Sequence, residues 1–244
     1  MSLPAEPTSV LLVLAVAVLV GATVQSLVGL GLGLVAAPIT ALAAPELVPV
    51  LPITLAMLLP VATLARERAD IDWRALAWLV PSRVPGTVVG VAVVALVGPR
   101  VIGIAVAVMV LVAVTATAYA PRLPITPTTL IGAGLASGVA GTATSIGGPP
   151  TALLLQHRPA RQLRTTLAVF FLVGAVMSLV GLWLSGELEV SHLFLALVMA
   201  PLLLVGEFAG RRLRPVLPTR ASRRAVLAVC GLSALVLLVR SLSG

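Results

Sequence analysis

Charged residues are scarce in this 244-residue chain, at 10% of the total. A soluble domain of this size carries about a quarter of its residues as charges, so a water-soluble globular protein is excluded. Lysine is absent: all 16 basic residues are Arg, against 8 acidic ones, for a net charge of +8. In a soluble protein that excess would point to nucleic acid, but aromatics make up only 3%, too few for platforms that stack bases. The Arg residues lie mostly in short segments between apolar runs, where they set orientation in a bilayer. A single cysteine, Cys230, leaves no partner for an internal disulfide and reads as a packed small residue in the last apolar run. No basic residue precedes the first apolar run, which therefore lacks the charged start of a signal peptide and is expected to be retained.

Chemistry-bearing clusters are missing as well. No Asp lies in an apolar run, and the histidines, His157 and His192, fall between runs. An intramembrane enzyme acting on lipid or peptide needs a nucleophile–base pair or paired carboxylates at depth. A cation or metal transporter needs buried carboxylate, His or Cys groups. Neither alternative finds its residues, and no catalytic residue, metal or cofactor is expected.

What is present is apolar length. Hydrophobic residues make up 59% of the chain, its mean hydropathy is +1.16, and the apolar runs approach the 20 residues of a membrane span. This predicts an all-α polytopic membrane protein. The runs cover residues 9–28 continuing to 44, then 47–65, 75–97 and 101–120; 128–144 continuing to 156, then 167–185, 193–209 and a short final 225–239. Trp73 and Trp78, beside the polar segment 66–74, have the character of interface anchors.

Two interruptions stand out. Residues 25–38 read QSLVGLGLGLVAAP, with Gly29, Gly31 and Gly33 on alternate positions, and residues 137–150 read SGVAGTATSIGGPP. Each glycine costs roughly 1 kcal/mol in a helix interior, so helices are expected to break at both places. A shift of about 116 residues superposes Gly31 on Gly147, Pro85 on Pro201, Gly90 on Gly206 and Pro99 on Pro215. The order of runs and loops also repeats, which divides the chain into 1–122 and 123–244. Charge placement reverses between these halves. Residues 66–74 hold three Arg where 186–192 holds none, 44–46 holds none where 157–164 holds three, and 98–100 holds one where 211–224 holds six. By the positive-inside rule, corresponding loops then lie on opposite sides of the bilayer, an inverted repeat. Inversion needs an odd number of crossings, so residues 9–44 and 128–157 are expected as broken, re-entrant hairpins, each followed by three spans, about eight membrane segments in all. Against this, residues 9–28 alone are long enough to cross ~30 Å of hydrocarbon.

Irregular backbone at membrane depth lines a cavity or is buried in protein, and a helix that starts there offers free N–H groups and a positive dipole end to an anion. The predicted substrate site comprises Gln25, Ser26, Gly29, Gly31 and Gly33 from the first break. The second contributes Thr142, Thr144, Ser145, Gly147, Gly148 and Pro149, with Pro149 and Pro150 opening a new helix. Arg83 lies ~12 Å into its run by helical rise. It reads either as a fixed countercharge for an anion or as a snorkelling side chain freed by Pro81 and Pro85 ending the helix early. Glu207 and Arg211 are spaced for a local ion pair. Arg158, Arg161 and Arg164 serve topology, with a smaller role in guiding anions.

Gly29-Leu30-Gly31-Leu32-Gly33 with Pro38, Ser145-Ile146-Gly147-Gly148-Pro149-Pro150, and the loop ending Asp72-Trp73-Arg74 resemble the sulfite exporter TauE/SafE family. Its members carry a GxGxG or GIGGG element followed by an apolar turn and Pro, and later a GIGGPP-like element. The likeness in layout extends over nearly the whole chain, with Leu32 and Ser145 standing where the family often has glycine. The resemblance implies export or uptake of small anions, sulfur-containing ones above all, such as sulfite, sulfoacetate and other organosulfonates. The residues themselves point to a membrane transporter of an anion. The expected partners are that anion and the lipid bilayer, without nucleic acid, and the expected place is the cell membrane of a bacterium.

Overall fold

A computed structural model describes residues 7–28, 32–119, 123–213 and 219–243. Among them the chain is all helix, without a strand: α1 Thr8–Val28, α2 Leu32–Ala43, α3 Val50–Arg66, α4 Trp73–Leu96, α5 Pro99–Tyr119, α6 Pro127–Thr144, α7 Gly148–Leu155, α8 Ala160–Leu184, α9 Val190–Leu213 and α10 Thr219–Ser243, with a 3-10 turn at Pro45–Leu47. Five of these, α1, α4, α5, α8 and α9, are long and apolar enough to cross a membrane, while α2, α3 and residues 227–243 of α10 are apolar but shorter.

The packing is inside-out relative to a soluble bundle. Large apolar side chains such as Leu12, Leu96, Leu197 and Leu232 face outward, a surface that only lipid tolerates. Small residues draw the helices together inside. A Cβ built on Gly90 of α4 would lie 2.7 Å from the Cβ of Thr142 on α6, and one on Gly206 of α9 would lie 2.8 Å from that of Ala22 on α1. Close backbone approach of this kind replaces the hydrophobic drive that lipid removes.

Helix contacts pair reciprocally when α1–α5 are matched with α6–α10. Helix α4 packs on α6 as α9 packs on α1, α4 on α8 as α9 on α3, and α5 on α7 as α10 on α2; α3–α8 and α5–α10 map onto themselves. Contacts between Arg and carboxylates gather at one end of the bundle. There Arg158 meets Asp72 at 3.1 Å, Glu67 meets Arg161 and Arg164, and Glu207 meets Arg66 and Arg211. These bridges join the end of α3, the start of α4, the start of α8 and the end of α9. At the opposite end Arg240 donates to the Leu42 carbonyl and Arg100 to those of Ser241 and Leu242, neutralising the negative ends of α2 and α10.

Several expectations are corrected. Pro81 and Pro85 do not end their helix: α4 runs unbroken through both, as proline can in a helix packed among other membrane helices. The last apolar stretch is short as expected, at residues 227–243, but the helix that carries it, α10, extends over 25 residues. Of residues 211–224, expected as a loop, those described are helical, with Arg211 and Arg212 closing α9 and α10 opening at Thr219, while 214–218 lie outside the described residues; Arg is a strong helix former. For the same reason Arg161 and Arg164 lie on the first turns of α8. His192 lies in the first turn of α9, buried. The Glu207–Arg211 pair forms as expected, and Cys230 is packed in the core.

Candidate functional site

The second break is built by Ser145. Helix α6 ends at Thr144, and Ser145 takes a left-handed conformation at φ +64°, the conformation that closes many helices and usually belongs to glycine. The Ser145 hydroxyl donates to the Pro49 carbonyl at 3.0 Å. Gly147 then lies so close to α6 that an added Cβ would fall 2.8 Å from the Ser137 carbonyl oxygen. Helix α7 starts at Gly148 with Pro149 and Pro150 in its first turn, as expected for residues whose φ is preset. Of those three residues only Gly148 carries an N–H, so backbone donors are fewer there than a non-proline start would supply.

At the first break α1 and α2 flank Gly29 and Gly31, which lie outside the described residues. The Gln25 amide oxygen accepts the Leu32 N–H at 3.0 Å, capping the start of α2. The two breaks touch, for a Cβ on Gly33 would lie 2.8 Å from the Ser145 carbonyl oxygen.

Arg83 projects from α4 toward this junction and is only 4% exposed. Its guanidinium lies 4.8 Å from the centre of the Phe170 ring and directly against Gly174, both on α8, while Nη2 comes within 2.9 Å of where a Cβ on Gly141 would sit. Among the described residues, Nε and Nη1 are buried without a hydrogen-bond partner, and none of the ion pairs includes this side chain. Inward burial replaces the snorkelling alternative, since the unbroken α4 holds residue 83 on the face turned to α6 and α8.

Arg83, Gln25, Gly33, Ser145, Gly147, Gly148 and Pro149 line one cavity of about 100 Å³, with Ile53, Ile146 and Phe171 as apolar wall. Gln25, Pro149 and Phe171 also border a wider vestibule that reaches Arg66, Glu67, Arg164, Glu207 and Arg211 at the ionic end of the bundle. Ser26 stands in the wall of that vestibule. Thr142 and Thr144 are not brought to the cavity. The Thr142 hydroxyl is 2.8 Å from that of Ser178, and the Thr144 hydroxyl donates to the Ala140 carbonyl. Phe170, Phe171, Gly174 and Ser178 of α8 were not among the expected site residues; a Phe and a Gly four apart on an apolar helix read as ordinary packing. Among the described residues, no three His, Cys, Asp or Glu side chains come together as a metal cluster would require.

The fold and this cavity define a multi-pass helical membrane protein with one buried cation at the meeting point of two helix breaks. Residues 13–237 match the sequence model of the sulfite exporter TauE/SafE family. The chain belongs to that family, whose membership implies membrane export of sulfite or a related anion. No curated protein and no solved structure matches.

Proposed function

We propose that the protein is a secondary transporter that exports a small sulfur oxyanion, sulfite or an organosulfonate, held between the two helix breaks. One observation carries this reading: among the described residues, Arg83 is buried with two nitrogens unpaired and no carboxylate beside it. Burying a charge without a partner costs several kcal/mol, and a guanidinium fork matches an oxyanion edge through two parallel charge-assisted bonds. An anion entering the cavity would supply the missing partner. The positive end of α7 adds attraction, Ser145 adds a hydroxyl, and the apolar wall suits the carbon end of a sulfonate. Gly29 and Gly31, outside the described residues, belong to the proposed site by their place in the sequence between α1 and α2, and Ser26 as part of its approach.

The halves 1–122 and 123–244 act in this proposal as inverted repeats, each a broken hairpin followed by three spans. Three observations support the arrangement: reversed loop charge, reciprocal helix packing, and the return of each broken segment toward its own starting end. The Arg158–Asp72 contact brings the end of α7 back to the start of α4, which lies beside α6. The Arg240–Leu42 bond ties the end of α2 to the opposite end of the bundle. Alternating access then rocks one repeat against the other around the site. By the positive-inside rule the ionic end is cytoplasmic, so the vestibule leads to the cytoplasm of a bacterial cell and the anion loads from there.

Efflux of sulfite and of short organosulfonates from proteoliposomes tests the reading. Arg83→Met is expected to abolish flux and Arg83→Lys to lower it at least tenfold, since lysine lacks the planar fork. Flux that survives Arg83→Met unchanged, or no flux of any sulfur oxyanion by the unaltered protein, overturns it.

A further inference from the structure

We propose that Phe170 and Gly174, one turn apart on α8, are positioning residues that hold the Arg83 guanidinium in place and thereby set the affinity of the anion site. The inference rests on the reading that Arg83 binds the anion. An arginine side chain is long and flexible, and here Nε and Nη1 have no hydrogen-bond partner among the described residues. Packing must therefore hold it. The Phe170 ring lies 4.8 Å from the guanidinium carbon, and a cation over a ring face is attracted by the ring quadrupole. Phe170 is itself 0% exposed and belongs to the core formed with Leu79, Leu155 and Leu167, so the platform is rigid. At residue 174 the space that any side chain would fill is occupied by the guanidinium carbon, Nε and Nη1 of Arg83. Only glycine lets the cation lie against α8.

The other half of the chain supplies an internal comparison. In the register that superposes Gly90 on Gly206, Arg83 corresponds to Met199, Phe170 to Thr54 and Gly174 to Leu58. Met199 is buried, and Leu58 packs against its cluster. Helix α9 meets α3 as α4 meets α8. Where no guanidinium has to be seated, the glycine and the ring are both absent and aliphatic side chains fill the space.

The experiment measures KM and kcat for sulfite efflux, with thermal melting in detergent, for Gly174→Ala, Phe170→Leu, Phe170→Tyr and Arg83→Met/Gly174→Ala. Gly174→Ala is expected to raise KM tenfold or more. Phe170→Leu is expected to raise KM severalfold with a smaller change in kcat, and Phe170→Tyr to keep the low KM. Should Gly174→Ala fail to fold, the double variant is expected to fold, because the clash is with the guanidinium; a double variant that stays unfolded overturns the proposal. Unchanged KM in both Gly174→Ala and Phe170→Leu also overturns it, while loss of flux in Arg83→Met leaves the anion-site reading standing. Unchanged flux in Arg83→Met removes that reading itself.

Discussion

Gly33 in the first turn of α2 faces the carbonyl oxygen of Ser145 at the end of α6, so closely that a Cβ on the glycine would lie 2.8 Å from that oxygen. The two breaks, far apart in the chain, close on each other at this contact. A backbone carbonyl cannot swing aside as a side-chain tip can. Gly33→Ala is therefore expected to destabilise the protein by about 1–3 kcal/mol, the usual cost of overpacking, and to lower flux. Gly132→Ala and Gly231→Ala meet nothing within 4 Å and should instead stabilise by up to about 1 kcal/mol through helix propensity. Melting curves of the three variants separate these signs; equal effects at all three would refute the contact.

Ser145 combines a left-handed backbone with a hydroxyl bonded to Pro49. That conformation costs a non-glycine residue about 1–2 kcal/mol, and the hydrogen bond returns about 1 kcal/mol. Ser145→Gly should consequently stay within about 1 kcal/mol of the unaltered protein. Ser145→Val loses the bond and adds a branched side chain to a strained position, with an expected cost of about 2 kcal/mol or more. Denaturation midpoints give the comparison, and a valine variant as stable as the glycine one would contradict it.

The proposed inversion of the repeats would place the exposed residues Ala69 and Glu187 on opposite sides of the membrane. Cysteines introduced at each, in a Cys230→Ala background, should react with an impermeant maleimide from opposite faces of oriented vesicles, residue 69 from the cytoplasmic face. Labelling of both from one face rules out the inverted arrangement.

Glu207 neutralises Arg211 and, at 3.7 Å, Arg66 in the vestibule wall. Glu207→Gln leaves both guanidiniums unbalanced and makes the approach more positive. At low ionic strength the KM for anion loading should fall roughly two- to fivefold through electrostatic focusing. The gain should fade above about 0.15 M salt, where the screening length is about 8 Å. Initial rates over a salt series test this, and a gain that is independent of salt would exclude a long-range electrostatic cause.

Much of this molecule was legible in residue order. Scarce charge and long apolar runs announced a helical membrane protein, and Gly and Pro clusters marked both breaks, because each is a local signal carried by neighbouring residues. The start of α7 at Gly148 follows from prolines that preset φ, and the Glu207–Arg211 pair from a four-residue spacing. Helix ends were less legible: Arg-rich segments read as loops turned out to extend α8, α9 and α10, since arginine marks an interface and favours helix equally. Prolines 81 and 85 misled in the opposite sense, because a helix packed on both sides tolerates them.

What only the tertiary structure decided is which face each residue turns to which neighbour. Sequence left Arg83 suspended between snorkelling and burial; the rotation of α4 against α6 and α8 turns it inward, onto a ring and a glycine drawn from the other half of the chain. The same rotation sorts the hydroxyls, setting Ser145 on the cavity and committing Thr142 and Thr144 to partners within the packing. Composition and periodicity determine class, segments and breaks, because those depend on neighbours in the chain. The environment of a buried charge depends on helices that meet only in the folded bundle.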